Sequence, residues 1–392
     1  MRSAWTCNLL ALLLCGIAAP LVAQEPSAPA YSPAVGQHHP TRLLWGDTHL
    51  HTNLSVDAAA GGNRQFGPDE AYRLARGETV KAHNGMPVRL NRPLDFLVAA
   101  DHAETMGLFP GLEAADPRLL ATETGRRWYE MYQAGAEESA EILVEFGNSL
   151  RERKDLLGSP DYTKSVWHRV TANADNYNQP GTFTAFIGYE WSSSVGGGNM
   201  HRIVILADDA DKANQVFPFS SYDGEHPPEL WRYMANYEQQ TGGQILAIPH
   251  NSNVSAGLMF ALTDSNGDAI TAEYARDRNR WEPLTEVTQF KGDSETHPFV
   301  SPDDEFADYE SWDQYAGFSN SRPHEDSMFA GEYARPALRR GLALFASAGA
   351  NPYKFGMIGS TDSHTGIASA DENNFWGKFS WHEPSATRAT ER

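Results

Sequence analysis

Cysteine is nearly absent from this chain of 392 residues, and the two that occur, Cys7 and Cys15, both lie close to the N-terminus. The rest of the chain therefore contains no thiol that could form a disulfide or a thiolate-rich structural zinc site. Its stability must come from an apolar core or from bound metal. With 41% apolar residues the chain is long enough to bury such a core.

Positive charge is also scarce, because 31 Lys and Arg residues against 51 Asp and Glu residues give a formal net charge of -20. Proteins hold nucleic acid chiefly through Lys and Arg contacts to phosphates, so we expect no nucleic-acid partner.

Beyond the first 23 residues, no apolar run approaches the ~20 residues of a membrane helix, so we expect no membrane span. Nothing in the sequence indicates the oligomeric state.

The first 23 residues differ from the rest of the chain. Arg2 precedes an apolar stretch and a small-residue segment, "PLVAQEP", an order typical of a secretory signal peptide. We expect cleavage near Ala23 and export, to the periplasm. Lipidation of Cys15 is the alternative, although Leu14 is bulkier than the residue that usually precedes a lipidated cysteine. Residues 24–40, rich in Pro, Ala and Ser, are expected to form an extended leader.

Seven short apolar runs follow, each bounded by turn residues, and they predict strands. They are "LLWGDTHLHT", "LDFLVAADHA", "FTAFIGYEWS", "HRIVILAD", "GQILAIPHN", "PLTEVTQF" and "FGMIGSTDSHT". Runs that are apolar on both faces are typical of strands covered by helices, which predicts an α/β fold with a parallel sheet or barrel. Residues 104–180, between the second and third runs, are too long for an ordinary connection, so we expect a helical insertion that selects substrate.

The ends of these runs carry the candidate functional residues, because the carboxyl ends of parallel strands converge on one face of a barrel. Five runs end in metal-type ligands: His49 and His51, His102, Glu190, His250, and Asp362 with His364. Asp57, in the loop after the first run, and His201, at the start of the fourth, are further candidates. His201 does not follow the strand-end rule. It would reach the site if the fourth run is antiparallel or if its leading loop folds over the barrel mouth.

Each of these residues also has an ordinary structural interpretation. Alternating histidines on a strand share one face and are often simply buried and hydrogen-bonded. A D-H pair can cap a turn, and a D-S-H loop can form an Asx turn with a surface histidine. Their joint placement favours a metal site, and imidazole with carboxylate suits Zn, Mn or Fe. Histidines without such placement, such as His297, are expected to have structural or surface roles.

Taken together, these motifs resemble the polymerase and histidinol phosphatase (PHP) superfamily. "GDTHLHTNLSVDA", "DFLVAADHAE", "GYEWSS", "NMHRIVIL", "IPHNSN" and "GSTDSHTG" are similar to its often secreted branch, domain of unknown function 3604. The resemblance covers about residues 42–370. It implies that residues 41–392 form a single metallohydrolase domain, a distorted seven-stranded (β/α) barrel of the PHP type with up to three metal ions.

The resemblance also implies a set of imidazole and carboxylate ligands for each ion, with one glutamate shared between the first two ions. The sets are His49, His51, Glu190 and Asp362 for the first ion, Glu190, His201 and His250 for the second, and Asp57, His102 and His364 for the third.

Such a centre is expected to catalyse hydrolysis. A hydroxide held between two cations is available near neutral pH, because the cations depress the pKa of bound water. We expect it to attack phosphorus in line while the ions neutralise the developing charge. The expected function is a secreted phosphoesterase that acts on a small-molecule ester, with Glu190, Asp362 and His250 as its catalytic residues.

Several polar residues beside these motifs are weaker candidates. Glu286, an inward acid on the sixth run, is expected to hydrogen-bond a ligand imidazole. The candidates for orienting the substrate, each equally well explained as a surface cation or a turn amide, are Arg202, Asn251, Asn253 and Lys291.

Two other functions remain open. An amidohydrolase-like barrel also opens with H-x-H and would hydrolyse an ester, lactone or amide, but it typically uses a carboxylated Lys or a Glu on its fourth strand. The fourth run, "HRIVILAD", has no Lys. A non-catalytic metal-binding protein is the second alternative.

Members of the branch usually continue well beyond the D-S-H strand, whereas this chain stops after "SATRATER", which leaves truncation at the C-terminus open.

Overall fold

The computed structural model describes residues 40–317 and 323–385. The expected signal peptide, both cysteines and all of the expected leader except Pro40 lie outside the described residues. The described residues from Leu44 onward belong to one unit. No helix in the described ranges is long and apolar enough to cross a lipid bilayer.

Each of the seven predicted runs contains a strand, and three short strands accompany them. In chain order the strands are β1 (Gly46–Leu50), β2 (Val80–Lys81), β3 (Pro87–Val88), β4 (Phe96–Ala99), β5 (Thr184–Trp191), β6 (Arg202–Leu206), β7 (Ile245–Pro249), β8 (Leu284–Gln289), β9 (Gly292–Asp293) and β10 (Gly356–Gly359). The pair β2 and β3 forms a separate antiparallel hairpin.

Five strands form one curled sheet in the order β1-β4-β5-β6-β7. The strands β1, β4 and β5 pair in parallel, whereas β6 is antiparallel to both β5 and β7. The expectation of a wholly parallel sheet is therefore wrong for β6, and the antiparallel alternative is observed. Residues 192–201 join β5 to β6 through a short 3-10 turn, Val195–Gly197, and a parallel crossover needs a longer connection, usually with a helix.

The remaining strands form a second sheet, in which β10 and β9 flank β8. An isolated parallel bridge joins Leu50, at the end of β1, to Ser363 beyond β10. On the other side, Thr285 Oγ1 of β8 donates a hydrogen bond of 3.3 Å to the carbonyl of Pro249 in β7. The observed architecture is thus mixed α/β with a five-stranded half-barrel, and the seven strands do not form one continuous closed ladder.

Helices lie between most of the strands. They are α1 (Val56–Ala60), α2 (Pro68–Ala75), α3 (Leu108–Glu113), α4 (Pro117–Leu120), α5 (Glu123–Ala134), α6 (Ala136–Glu152), α7 (Pro160–Tyr177), α8 (Ala210–Ala213), α9 (Pro227–Thr241), α10 (Ala272–Trp281), α11 (Asp326–Phe329) and α12 (Ala334–Ala348). Five of them, α3 to α7, follow one another between β4 and β5.

Helix α7 shows how the sequence builds the core around the curled sheet. Pro160 begins the helix, where a missing N–H costs nothing. Tyr162, Val166, Val170 and Ala174 recur every four residues, so they share one helix face and are all buried. Burying an apolar side chain of this size contributes about 1.5–3 kcal/mol. Helix α7 thus packs on β5, the central strand of the sheet.

Candidate metal centre

All nine predicted ligands lie in one group at the carboxyl-terminal edge of the sheet, linked by contacts between side chains of 3.5 Å or less. We call this group the ligand cluster. Its members are His49, His51, Asp57, His102, Glu190, His201, His250, Asp362 and His364.

Three of these residues, His49, His51 and Glu190, surround a common point, and Asp362 lies beside them. The Nε2 atoms of His49 and His51 lie 3.2 Å apart and 3.5 and 3.1 Å from Glu190 Oε2. Both also lie 3.3 Å from Asp362 Oδ1. Alternation along β1 places the two imidazoles on one face of the strand. A tetrahedral ion with bonds of about 2.0–2.1 Å would separate its ligand atoms by about 3.3 Å, so the two imidazole nitrogens and Glu190 Oε2 fit a metal ion. Asp362 lies beside the two imidazoles but is not part of that three-residue group.

Glu190 lies at the centre of the ligand cluster and joins two groups of histidines. Its Oε1 is 2.6 Å from His201 Nδ1 and 2.9 Å from His250 Nε2, while its Oε2 faces the two histidines of β1. Because β6 is antiparallel, its starting end brings His201 to the edge where β5 ends. Oε2 is buried without a hydrogen-bond partner, which is costly unless a cation is its partner.

The imidazoles explain why this buried carboxyl group is ionised. Burial raises the pKa of Glu190, but the positive potential of His102 and the hydrogen bonds with His201 and His250 hold it well below its usual value. Burial lowers the pKa of His51 to about 4 and that of His250 well below its usual value. At neutral pH these two imidazoles are uncharged, which is the form that binds metal.

The third group lies where the ligand cluster meets solvent. Asp57 Oδ2 is 2.7 Å from His364 Nε2 and 3.3 Å from His102 Nε2. Asp57 lies in the first turn of α1 and its side chain is 45% exposed, whereas those of Glu190 and Asp362 are almost fully buried. His51, Asp57, His102 and His364 together form one of three His and carboxylate groups among the described residues that could hold a metal ion.

Hydrogen bonds from a surrounding layer orient the imidazoles. Glu286 Oε2 lies 3.0 Å from His49 Nδ1, so the hydrogen bond expected for Glu286 is observed. Ser55 Oγ lies 2.8 Å from His51 Nδ1 and itself donates to Asp101. Each contact engages Nδ1 and leaves Nε2 directed at the common point, an arrangement typical of metal-bound histidine. Burial lowers the pKa of His49, but the negative charges of Glu286 and Glu190 outweigh burial and raise it above its usual value.

Two of the four predicted substrate-orienting residues lie at the ligand cluster. The Lys291 ammonium group contacts Asp362 Oδ2. Asn251 is buried and in the left-handed backbone region, with φ of 48°. Its Oδ1 accepts a hydrogen bond of 2.9 Å from Gln289, whose amide also donates to Asp362 at 2.6 Å. The Asn251 amide nitrogen is buried without a hydrogen-bond partner.

The other two have structural roles instead. Arg202 is fully buried and its Nε lies 3.0 Å from Glu282 Oε1, because alternation along β6 turns it away from the face that carries His201. The side-chain amide of Asn253 donates to the carbonyls of Lys291 and Trp312 and therefore holds two loops together. The interpretation of these two residues as substrate ligands is thus not supported by where they lie.

Sequence reasoning missed Lys378, which contacts the same carboxylate as Lys291. Its Nζ donates to Asp362 Oδ1 at 2.5 Å and to the Asp362 carbonyl at 2.6 Å. Asp362 has a φ of 54°, a strained conformation for a non-glycine residue that is common at functional sites. Burial lowers the pKa of Lys378 to about 7. The only signal in the sequence is a lysine shortly after the D-S-H motif, which carries no periodicity or spacing rule.

His297 lies outside the ligand cluster, as predicted. Its Nε2 is 3.1 Å from Asp313 Oδ2 and its ring stacks on Phe329 at 4.4 Å between centroids. It is thus a buried structural histidine.

Comparison with known proteins gives one match. The model of a family described as "Protein of unknown function (DUF3604)" matches residues 38–392. No curated protein and no solved structure matches the chain.

Proposed function

Since the chain belongs to the DUF3604 family, whose function is unknown, we propose its activity from the geometry of the ligand cluster. We propose that it is a metal-dependent phosphoesterase that acts on a small-molecule phosphate ester. Its centre is proposed to hold two or three divalent transition ions, Zn, Mn or Fe. The scaffold is proposed to be a barrel of the PHP type that the antiparallel β6 distorts.

The observation that carries this proposal is the position of Glu190 between two groups of imidazoles. One carboxylate oxygen faces His201 and His250, and the other faces His49 and His51. A carboxylate placed in this way joins two neighbouring ligand sets, which is the arrangement of binuclear hydrolases. A single structural ion would need only one of these sets.

When bound, the ions would supply a hydroxide near neutral pH and neutralise charge on the phosphoryl oxygens. The residues of the chain fix the positions at which this happens. Glu190 sets the separation of the two groups, and Glu286 and Ser55 lock the rings of His49 and His51. Because these imidazoles are buried and hydrogen-bonded, their rings would be oriented before substrate arrives. Glu190, Asp362 and His250 are the proposed catalytic ligands.

An amidohydrolase-like activity on an ester, lactone or amide is the second candidate, and the fourth strand argues against it. The residues of β6 are RIVIL, so this strand offers no lysine to carboxylate. Its one basic residue, Arg202, is paired with Glu282 on the opposite face. A non-catalytic metal-binding protein is the third candidate. The solvent exposure of Asp57 argues against it, because a catalytic site must be open to substrate whereas a structural metal site need not be.

The test is to remove all metal from the full chain, reload it with Zn, Mn or Fe, and count bound ions by elemental analysis. Each loaded form is then assayed with p-nitrophenyl phosphate, bis-p-nitrophenyl phosphate, p-nitrophenyl acetate and a lactone. His51→Ala should lose metal and turnover. His297→Ala is the matched control, because it removes another buried histidine that is paired with a carboxylate.

Metal-dependent turnover of a phosphate ester that His51→Ala loses and His297→Ala keeps would support the proposal. Turnover of only the acetate or lactone would favour the amidohydrolase-like alternative. Two bound ions with no turnover of any substrate would favour a metal-binding protein, and fewer than one bound ion per chain would refute the centre itself.

A further inference from the structure

Two lysines from distant parts of the chain meet at Asp362. Lys291 lies in the turn between β8 and β9, 71 residues before it, and Lys378 lies 16 residues after it. Lys291 contacts Oδ2, and Lys378 contacts Oδ1 and the main-chain carbonyl. Oδ1 is also the atom nearest to His49 and His51. The two ammonium groups therefore border the position at which those imidazoles converge.

Contacts that do not involve Asp362 hold the backbones of both lysines. The amide of Lys291 donates to Gln289 Oε1 at 2.6 Å, and its carbonyl accepts from Asn253 at 3.1 Å. The carbonyl of Lys378 accepts a hydrogen bond of 2.8 Å from the amide of His364. This second contact ties Lys378 directly to a residue of the ligand cluster. The backbones of both lysines are thus fixed by the fold independently of their contacts with Asp362.

The exposure of the lysines differs from that of a structural ion pair in the same protein. Arg202 and Glu282 are 0% and 1% exposed, as expected for a pair that only supports the fold. The side chains of Lys291 and Lys378 are each 18% exposed, and the nearby Asp57 is more open still. Both lysines are therefore partly open to solvent.

The charges of the site indicate that the lysines do more than neutralise Asp362. Four carboxylates contact the imidazoles of the cluster. Two divalent ions alone would balance these four negative charges, so a lysine placed beside them would add positive charge to the site. Lysines beside such cations are unfavourable unless an anion joins them. The four carboxylates are Asp57, Glu190, Glu286 and Asp362.

We propose that Lys291 and Lys378 form an anion-binding pair that holds the terminal phosphoryl group of the substrate, so that the enzyme prefers phosphate monoesters to diesters. A monoester offers three terminal oxygens and up to two negative charges, enough for two lysines together with the ions. A diester offers two terminal oxygens and one charge. The preference for monoesters rests on the phosphoesterase function proposed above, whereas anion binding by the pair does not.

The first experiment measures binding rather than turnover. Calorimetry of inorganic phosphate with the metal-loaded protein is compared for wild type, Lys291→Met and Lys378→Met, which keep most of the apolar stem. Lys354→Met is the matched control, because Lys354 is exposed. Each charge-assisted hydrogen bond lost should weaken phosphate binding roughly 10- to 100-fold. Metal content and thermal unfolding are measured for each variant, and Lys378→Arg should recover part of the affinity.

A second comparison uses only the wild-type protein and so does not depend on the folding of any variant. Inorganic phosphate should bind the loaded protein at least about tenfold more tightly than dimethyl phosphate, the singly charged diester analogue. The same order should hold for turnover of p-nitrophenyl phosphate and bis-p-nitrophenyl phosphate.

Equal binding of phosphate by wild type and both Met variants, or equal binding of phosphate and dimethyl phosphate by wild type, would overturn the anion-binding pair. Lysine-dependent phosphate binding without turnover of any phosphate ester would support the pair and refute the phosphoesterase function. Efficient turnover of diesters over monoesters would refute the preference while leaving phosphoesterase activity in place.

Discussion

Replacing Glu190 with Gln tests the centre most directly. The substitution keeps the shape of the side chain but removes the charge that contacts His49, His51, His201 and His250 at 2.6 to 3.5 Å. Structural zinc sites with four ligands contribute about 10–16 kcal/mol, or roughly 3 kcal/mol per ligand. The loss of one shared ligand should therefore weaken the binding of two ions by about 100-fold each. Turnover should fall about a thousandfold, which corresponds to ~4 kcal/mol.

The same substitution should also lower the stability of the metal-free fold. The pKa of Glu190 lies well below its usual value, so its ionised form contributes stability at neutral pH that a neutral amide loses. At a metal concentration 100 times the Kd, wild type should gain about 2.7 kcal/mol of stability, and Glu190→Gln should gain almost none. Thermal unfolding with and without Zn or Mn, together with elemental analysis after dialysis, measures both quantities.

Glu332→Gln is the matched control for this experiment. Glu332 is also a fully buried glutamate, and its Oε1 lies 3.2 Å from His324 Nε2 outside the ligand cluster. Burial raises the pKa of Glu332, so the amide should be tolerated and metal content should stay unchanged. If Glu190→Gln kept its full metal content and near-normal turnover, the shared position of Glu190 would have no functional meaning and the binuclear centre would be wrong.

Three further predictions test the surroundings of the site. Glu286→Gln should lower metal affinity roughly 10- to 100-fold by loosening the ring of His49, which a competing chelator measures; unchanged affinity would contradict the orienting role. Glu282→Gln leaves Arg202 and Arg278 buried without their shared carboxylate and should lower the free energy of unfolding by about 3–5 kcal/mol, and a change within 1 kcal/mol in urea denaturation would argue against it. Chelation of the loaded wild type should lower its thermal unfolding temperature, and added Zn or Mn should restore it; a temperature insensitive to EDTA would indicate that no ion supports the fold.

The strands were predictable from sequence because their runs are short, apolar on both faces and bounded by turn residues. The way in which the strands pair into sheets was harder to predict from sequence. The direction of β6 depends on how residues 192–201 cross the end of β5, and hydropathy alone carries no direction. The pairing of β10 with β8, instead of with a neighbour in sequence, depends on the packing of the whole chain.

The ligand cluster could be predicted because ligands at strand ends have a positional rule, and Glu286 could be predicted because an inward acid on a strand needs a partner. Arg202 shows the limit of reasoning from neighbours in sequence, since a residue next to His201 on a strand must face the opposite side. No sequence pattern predicts the position of Lys378, because it lies in an irregular segment whose path is set only by tertiary contacts.

The bridge between β1 and the segment after β10 joins parts of the chain that are far apart in sequence. Asp57 and His364 are separated by 307 residues, so closing that loop costs about 5 kcal/mol of chain entropy. Glu190 and His201, on the β5–β6 hairpin, are separated by 11 residues, and that loop costs about 2 kcal/mol. During folding the hairpin half of the cluster can therefore form first. A cation captured there would help to recruit the two distant ends of the domain, so metal supply during synthesis would govern the yield of folded protein as well as its activity.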